Sequence, residues 1–579
     1  MGSPSPREEE GERLTQEEAA LPVHTFEQIL DIIGHFGKYQ KLMYIALCFV
    51  AFTSAWYTLA QVFLCATPEH HCKPAEVPFL FTISNASKER LWNITVPPET
   101  SQHGKYLWSK CQQYNLTQIN LPSRPEEWDS ADPPKHGWNQ SVVSCQAWEY
   151  DTSVFSSTVV TEWDLVCERS WMRQLDTVLF MLGCLVGSSP VGWVADRYGR
   201  RKVVLVSAAL AILCTLGMVF SPAFWFFTVL RFLNGLLSLA LYNVSYTLGM
   251  EFVGPTKKKV PGMIMNLAFT LGHVLLTGVA YGSGSWRMIQ LTVTLVSAGV
   301  MLCCWFLPES ARWLILRDRE EEAKVIIRKA ARINQRPLPA NFILTASTDS
   351  KAWRLDQRKY TATDLLRTPI LRRNTLILCY NWFSVCCSYY GLVYNIQNLS
   401  GDPYVNFLLI GLAEVPAHIG LLLILDRTRR KLLLLGTQLL GAGACLGAAA
   451  FAWLEMAWLT VGLCLVGQFL ISAAFTGVYL YSAEVMPTPL RTTGIGFCNT
   501  LGRLGSSLCP WVILLGDTWK PSPFIVFAVL TTTAGLLAIW LPETLGRRLP
   551  ETLEDAEKVE DSCCCCWGGT AHSANSRGL

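Results

Sequence analysis

The sequence predicts an all-α polytopic membrane protein of about twelve spanning helices arranged as two halves of six. Three observations predict it. Of 579 residues, 51% are hydrophobic and only 16% charged, against about 25% charged in soluble domains. Apolar stretches of about 20 residues recur along the chain, each long enough for a helix rising roughly 1.5 Å per residue to cross a bilayer. The sixth stretch closes on Leu307-Pro308-Glu309-Ser310 and the last on Leu541-Pro542-Glu543-Thr544. Such an echo marks an internal repeat, whose binding site lies between the halves near mid-membrane.

Residues 1–41 form an N-terminal segment, polar and then amphipathic. Within it Phe26, Ile29, Leu30, Ile32 and Ile33 predict a short helix lying on the inner membrane surface. The polar run from Glu8 to Glu18 lacks the apolar core of a cleavable signal peptide, so the first span, 42–64, is expected to act as its own signal. Residues 65–174 then make a loop far longer than most connections. It carries the sequons Asn85-Ala-Ser, Asn93-Ile-Thr, Asn115-Leu-Thr and Asn139-Gln-Ser, which can be glycosylated only in the secretory lumen. Cys72, Cys111, Cys145 and Cys167 share the loop, with Cys65 at its membrane edge. In an oxidising compartment four cysteines predict a disulfide-stapled cap, with three pairings open.

Spans two to six follow at 175–194, 203–220, 223–248, 261–281 and 288–307, within a block ending at residue 316. A charged stretch, 317–374, separates the halves, and charge pairing predicts a surface helix over 320–331. The second half places spans at 375–393, 404–425, 432–453, 457–481, 494–515 and 523–541. The tail, 542–579, is acidic and ends with Cys563, Cys564, Cys565 and Cys566, a candidate lipidation site. Arg200, Arg201, Lys202, Lys257 to Lys259, the central stretch, Arg427 to Lys431, Arg547 and Arg548 fall on one side, which predicts that side and both termini to be cytoplasmic.

A net charge of +3 with no basic run interleaved with aromatics gives no footprint for nucleic acid. No HExxH and no Gly-x-Ser-x-Gly elbow is present, nor any CxxC pair outside the cysteine run at Cys563, which argues against an enzyme and against a resident metal or cofactor. The expected partners are a small organic ion and the lipid bilayer; a coupling ion and the oligomeric state stay open.

Arg503 is the most informative single residue. It lies about 12 residues, roughly 18 Å, past Arg491, near the middle of its span. An arginine there costs at least ~2.5 kcal/mol on insertion, so it is expected to face a cavity or a partner. Asn499, Ser506 and Ser507 stand about one turn away and predict a polar stripe. Glu414, about 15 Å into the eighth span, lies at a similar depth, with His418 one turn on. In the seventh span Trp382 and Tyr389 share one face, and Phe383 and Tyr390 another. Aromatic faces can hold an ammonium by cation–π contact.

The turn after the second span, with Gly192, Asp196, Arg197, Gly199, Arg200 and Arg201, resembles the signature of the major facilitator superfamily. Glycine supplies a tight turn that holds a carboxylate and basic groups where neighbouring helices can lock the outward-open state. Four further stretches narrow the resemblance: Thr-Pro-Glu-His-His-Cys at Thr67, Thr-Glu-Trp-Asp-Leu-Val-Cys at Thr161, Pro-Glu-Ser-Ala-Arg-Trp-Leu at Pro308 and Ala-Glu-Val-Met-Pro-Thr at Ala483. From Phe26 to Glu551 the chain is similar to the organic cation, anion and carnitine transporters, solute carrier family 22.

The resemblance implies the major facilitator fold, transport by alternating access and a central cavity in the plasma membrane. It implies a binding role for Tyr242, Tyr246, Asn266, Trp382, Phe383, Tyr389, Tyr390, Glu414, His418, Phe475, Tyr479, Asn499 and Arg503. It implies a gating role for the signature residues with Glu251, Glu309, Arg312 and Glu484. The second copy of the signature, Asp426 to Arg430, lacks its turn glycine, which leaves the gate of the second half less defined. Cation carriers of the family have aspartate where this chain has Arg503, and lysine where it has Leu239. A guanidinium suits a carboxylate, and Glu414 with the aromatic set suits an ammonium. A carnitine-like zwitterion or a related ammonium compound is therefore the first expectation and an organic anion, carboxylate- or urate-like, the second, with His418 where the anion branch often has lysine. A cell-surface receptor on a transporter fold is the reading of another class.

Overall fold

The computed structural model of the protein describes residues 23–24, 26–73, 96–100, 106–115, 141–254, 259–336, 338, 343–344, 362–425, 427–547, 550 and 552–557. Among the described residues, twelve long helices carry the fold. The first half has α1 (Lys38–Leu59, continued by Gln61–Leu64), α2 (Ser170–Tyr198), α3 (Arg200–Val219), α4 (Phe224–Phe252), α5 (Lys259–Ser283) and α6 (Trp286–Trp305). The second has α7 (Pro369–Tyr394), α8 (Pro403–Ile424), α9 (Arg430–Trp453), α10 (Ala457–Val485), α11 (Arg491–Thr518) and α12 (Ser522–Leu537).

Ten of these are long and apolar enough to cross a membrane. The other two depart for local reasons. In α2 the axis bends by 46° between Ser188 and Pro190, where proline removes a backbone donor and crowds the preceding turn. In α11 the length suffices but the polar face around Arg503 lowers the hydropathy. The helices also outrun the apolar stretches, because backbone hydrogen bonding continues past the first charged residue: α4 and α10 extend through Glu251 and Glu484.

The halves meet chiefly along two helix pairs, α2 with α11 and α5 with α8. The second contact runs from end to end. Tyr281 meets Tyr404 near the long loop, His273 packs on Phe407 at mid-depth, and Met263 touches Leu421 and Leu425 at the opposite end. On the face carrying the loop, the halves are tied by hydrogen bonds from Tyr394 Oη to the Thr58 carbonyl (3.0 Å) and from Gln397 Nε2 to the Val62 carbonyl (2.6 Å). On the other, basic face, Trp193 and Tyr198 of α2 remain 60% and 55% exposed.

Within the long loop, the structure joins Cys72 to Cys145 and Cys111 to Cys167, choosing one of the three open pairings. Short antiparallel pairs flank them, His70–Cys72 with Trp148–Tyr150 and Gln112–Tyr114 with Val142–Ser144. Lys110 donates to Glu69 at 2.6 Å, which holds that carboxyl below the ordinary carboxylate range. The cap is bolted to the first half where Glu162 accepts from Trp286 Nε1 (2.8 Å) and pairs with Arg287. It reaches the second half through Tyr404, whose Oη donates to the Val154 carbonyl (3.2 Å) while its ring meets Phe155 and Phe63. Of the sequons, Asn115 follows a strand and donates its N–H to the Ser141 carbonyl; Asn85, Asn93 and Asn139 lie outside the described residues, as do Lys257, Lys258 and the Cys563–Cys566 run.

One expectation is corrected on the basic face. The helix Phe26–Ile33 does not present its apolar stripe outward: Ile29, Leu30 and Ile33 are buried against Trp313, Leu314 and Ile327 of the helices Ala311–Leu316 and Glu320–Asn334. Asn334 fastens this contact through Nδ2 to the Ile33 carbonyl (2.9 Å) and Oδ1 from the Tyr39 N–H (2.9 Å). The apolar stripe that predicted a membrane surface finds a protein surface instead, because an amphipathic pattern records burial and not what does the burying.

Candidate functional site

Helix α7 is the axis of the site: it is the most deeply buried of the ten apolar spans, with 83% of its apolar stretch inside the protein. Helix α11 packs closely on it at Gly502 and Gly505. A Cβ at Gly505 would lie 2.3 Å from the Phe383 carbonyl, so only glycine allows this approach. The tight packing brings Arg503 beside Tyr390. Its Nη1 donates to Tyr390 Oη at 3.1 Å, and the guanidinium carbon lies 6.0 Å from the Tyr390 ring centre. Arg503 is 9% exposed and its Nε has no hydrogen-bond partner. Among the described residues no carboxylate lies within ion-pair distance of it. The predicted polar stripe is present in sequence but not in chemistry, since the hydroxyls of Ser506 and Ser507 donate back to the Arg503 carbonyl.

Glu414 faces the other pole. It accepts from Tyr389 Oη (2.8 Å), Gln468 Nε2 (3.0 Å) and Thr270 Oγ1 (3.2 Å), with His273 Nδ1 at 3.5 Å from its Oε1. Hydrogen bonds to a buried charge are worth about 1.5–3 kcal/mol each and offset its desolvation. Because Tyr389 and Tyr390 are neighbours on α7, with ring centres 5.1 Å apart, they separate the carboxylate from the guanidinium and bond one each.

Between these poles lies a cavity of about 100 Å³. Of the predicted residues, Tyr242, Asn266, Tyr389, Tyr390, His418, Phe475 and Arg503 line it, joined by Phe269, Ser472 and Thr476. Tyr242 Oη donates to Asn266 Oδ1 (3.2 Å), and Thr476 Oγ1 lies 3.2 Å from His418 Nδ1. The rest stand back from the cavity wall. Trp382 donates to Ser482 Oγ (2.9 Å) and packs on Phe475 and Tyr479. Tyr479 in turn meets Tyr246, and Phe383 stacks on Tyr380. Asn499 is half-buried, and Glu414 is shielded behind Tyr389. The two faces of α7 read from the sequence thus divide by depth and not by side: the upper ring of each pair reaches the cavity and the lower one packs.

The predicted gating residues form two matching corners on the basic face. In the first half Glu309 accepts the backbone N–H groups of Arg200 (2.9 Å) and Arg201 (3.1 Å), while Arg200 pairs with Asp196 (2.7 Å) and Glu251 (3.3 Å). Gly199 makes the turn at φ +105°, and a Cβ there would lie 2.5 Å from Glu309 Oε2. In the second half Glu543 accepts the N–H groups of Arg430 (2.9 Å) and Lys431 (3.3 Å), and Arg430 pairs with Glu484 (3.3 Å). Each corner fastens helices of its own half. Arg197 lies over the rings of Trp193 and Tyr198, and Arg312 is exposed; Gly192 has open space around it, and Asp426 lies outside the described residues.

A family model described as "Sugar (and other) transporter" matches residues 135–555. The chain is 35% identical over 542 residues to an organic cation transporter protein of Drosophila melanogaster, covering 92% of this chain and 94% of that protein. It is 34% identical to solute carrier family 22 member 3 of Mus musculus, covering 93% and 96%. This chain belongs to solute carrier family 22. The fold of this family member is that of the major facilitator superfamily. The solved Escherichia coli xylose transporter XylE, in a partially occluded inward-open conformation, aligns with a TM-score of 0.57 over 88% of this chain and 100% of that one, at 14% identity. A second XylE structure, described as a proton:xylose symporter bound to 6-bromo-6-deoxy-D-glucose, aligns at 0.54.

This solute carrier also has polar groups that sequence reasoning passed over. Arg231 and Asp176, 1% and 0% exposed, lie 3.7 Å apart, and Gln61 bonds both. The signal was available, since both ionisable residues fall inside predicted spans and the rule applied to Arg503 applies equally to them. His273, inside the fifth span, was missed in the same way.

Proposed function

We propose that this solute carrier moves small organic zwitterions, carnitine-like molecules with a carboxylate and an ammonium, across the plasma membrane, with its basic face in the cytoplasm. The reading is carried by Arg503, a buried cavity-lining guanidinium with an unpartnered Nε and no carboxylate partner among the described residues. A substrate carboxylate supplies the missing counter-charge, and the planar fork can bind both oxygens. The ammonium pole rests on the faces of Tyr389, Tyr242 and Phe475, where Glu414 behind Tyr389 adds a negative field. Hydrogen bonds from Tyr394 and Gln397 join the halves on the loop face, which supports a conformation closed on that side. A second reading, an organic anion exchanger, is favoured by one observation: Arg503 and His418 line the cavity and Glu414 does not.

Uptake by sealed vesicles of a labelled carnitine, a dicarboxylate and a tetraalkylammonium ion separates these readings. Zwitterion uptake is expected to dominate. Arg503→Asp is expected to abolish it, because removing one partner of a buried charge pair costs about 2–5 kcal/mol. Dominant dicarboxylate uptake selects the anion reading. Preferred carriage of the tetraalkylammonium ion, unchanged in the variant, would make Arg503 structural. Specific surface binding with no flux would point to a receptor.

A further inference from the structure

We propose that His273 and Glu414 form a proton-binding site whose proton moves opposite to the organic ion. His273 is fully buried, and neither ring nitrogen has a hydrogen-bond partner, yet Nδ1 lies 3.5 Å from Glu414 Oε1. A neutral imidazole in this position leaves a donor and an acceptor unsatisfied. With a second proton the ring becomes a cation facing a carboxylate, and the pair is neutral as a whole.

The surroundings leave the proton few other hosts. On α8 the ring faces Phe407, Gly411 and Glu414, with His418 one turn further on. Gly411 makes the room, since a Cβ there would lie 3.1 Å from His273 Cδ2. Helix α7 brings Tyr389 and α10 brings neutral Gln468, both to Glu414. Helix α1 presents Phe52, Ala55 and Trp56 beside Gly272, and Trp56 Nε1 donates to the Gly272 carbonyl (2.8 Å). Helix α4 brings Tyr242, which bonds Asn266 and meets Phe269. Helix α6 has no ionisable side chain between Met288 and Met301.

The site also spans the division of the molecule. Thr270 and His273 belong to the first half, Glu414, Tyr389 and Gln468 to the second. The proton is taken from water on one face, held between His273 Nδ1 and Glu414 Oε1, and released to water on the other. Antiport follows from competition. Tyr389 lines the cavity and hydrogen-bonds Glu414, so the field that attracts a substrate ammonium is the charge that an imidazolium would neutralise. Proton and ammonium therefore alternate on one carboxylate. This step rests on the proposed reading of a substrate with a cationic pole.

The test uses proteoliposomes of the full chain with a trapped pH dye and labelled carnitine. With the membrane potential held at zero by valinomycin and equal potassium on both sides, an inside-acid gradient of about one pH unit is expected to raise carnitine accumulation about tenfold, and the dye is expected to report loss of internal acid as carnitine enters. In His273→Gln the remaining carnitine uptake is expected to show neither effect. Wild-type uptake indifferent to the gradient, or a variant that responds as the wild type does, overturns the proposal. If no carnitine enters wild-type vesicles, the zwitterion reading has failed, and infrared titration of the protein in nanodiscs decides the proton site by itself. The Glu414 carboxylate band, identified by its loss in Glu414→Gln, is expected to shift between acidic and alkaline buffer in wild type and not in His273→Gln. A wild-type band that does not move overturns the site.

Discussion

The two corners of the basic face perform one task with different backbones. Both set a glutamate after a Leu-Pro pair under the first N–H groups of a spanning helix, and both pair the leading arginine with a glutamate from the end of another helix, Glu251 or Glu484. Arg200 also bonds the Ala195 carbonyl as Arg430 bonds that of Leu425. The turn differs. Gly199 adopts φ +105° close under Glu309, whereas Arg429 holds the same place at φ −56°, which any residue adopts. The glycine is thus a local solution to a close approach, and the carboxylate cap with its arginine is the shared device. The missing glycine in the second half marks a change of backbone and not the loss of a corner.

The largest effects should fall on the caps. Glu309→Ala and Glu543→Ala each strip two backbone donors of a charged acceptor, at about 1.5–3 kcal/mol per bond lost. Equal losses of melting temperature and of uptake are expected. A loss confined to Glu309→Ala would break the equivalence of the corners. Gly199→Ala comes next, at about 1–3 kcal/mol for a non-glycine residue held at positive φ, with Glu309 forced aside. Its counterpart Arg429→Gly is expected to cost only about a few tenths, and equal destabilisation of the two would show that the turns are alike after all. The smallest effect belongs to Asp196→Asn. That side chain is 69% exposed, and an exposed ion pair contributes about 1 kcal/mol or less, so thermal unfolding monitored by tryptophan fluorescence should barely move.

What was legible in the sequence was whatever a bilayer or an oxidising compartment makes conspicuous. Span lengths follow from bilayer thickness, and the helices recur where the apolar stretches stood, each within a few residues at most ends. Arg503 and Glu414 declared themselves because charge inside a span is costly, and the four loop cysteines because they share one long loop. Partners were not legible. Thr270, His273 and Gln468 come from two helices of different halves and leave no periodic trace, yet they set the environment of Glu414. Face-sharing on α7 paired Trp382 with Tyr389. A helix surrounded on nearly all sides, however, sorts its rings by depth, a coordinate that periodicity does not carry. The bend at Pro190 was open to reading from the proline itself.

The contact of α5 with α8 has, in mechanical terms, the shape of a bearing. Its two surfaces touch from Tyr281 and Tyr404 at one end to Met263 and Leu425 at the other, a continuous seam of the kind about which the halves of a carrier rock. Friction in such a joint governs how fast it turns and not what it grips. Gly411 lies against His273 in that seam, away from the cavity wall. A methyl group added there is expected to act as grit, slowing turnover and crowding the His273 ring that faces Glu414.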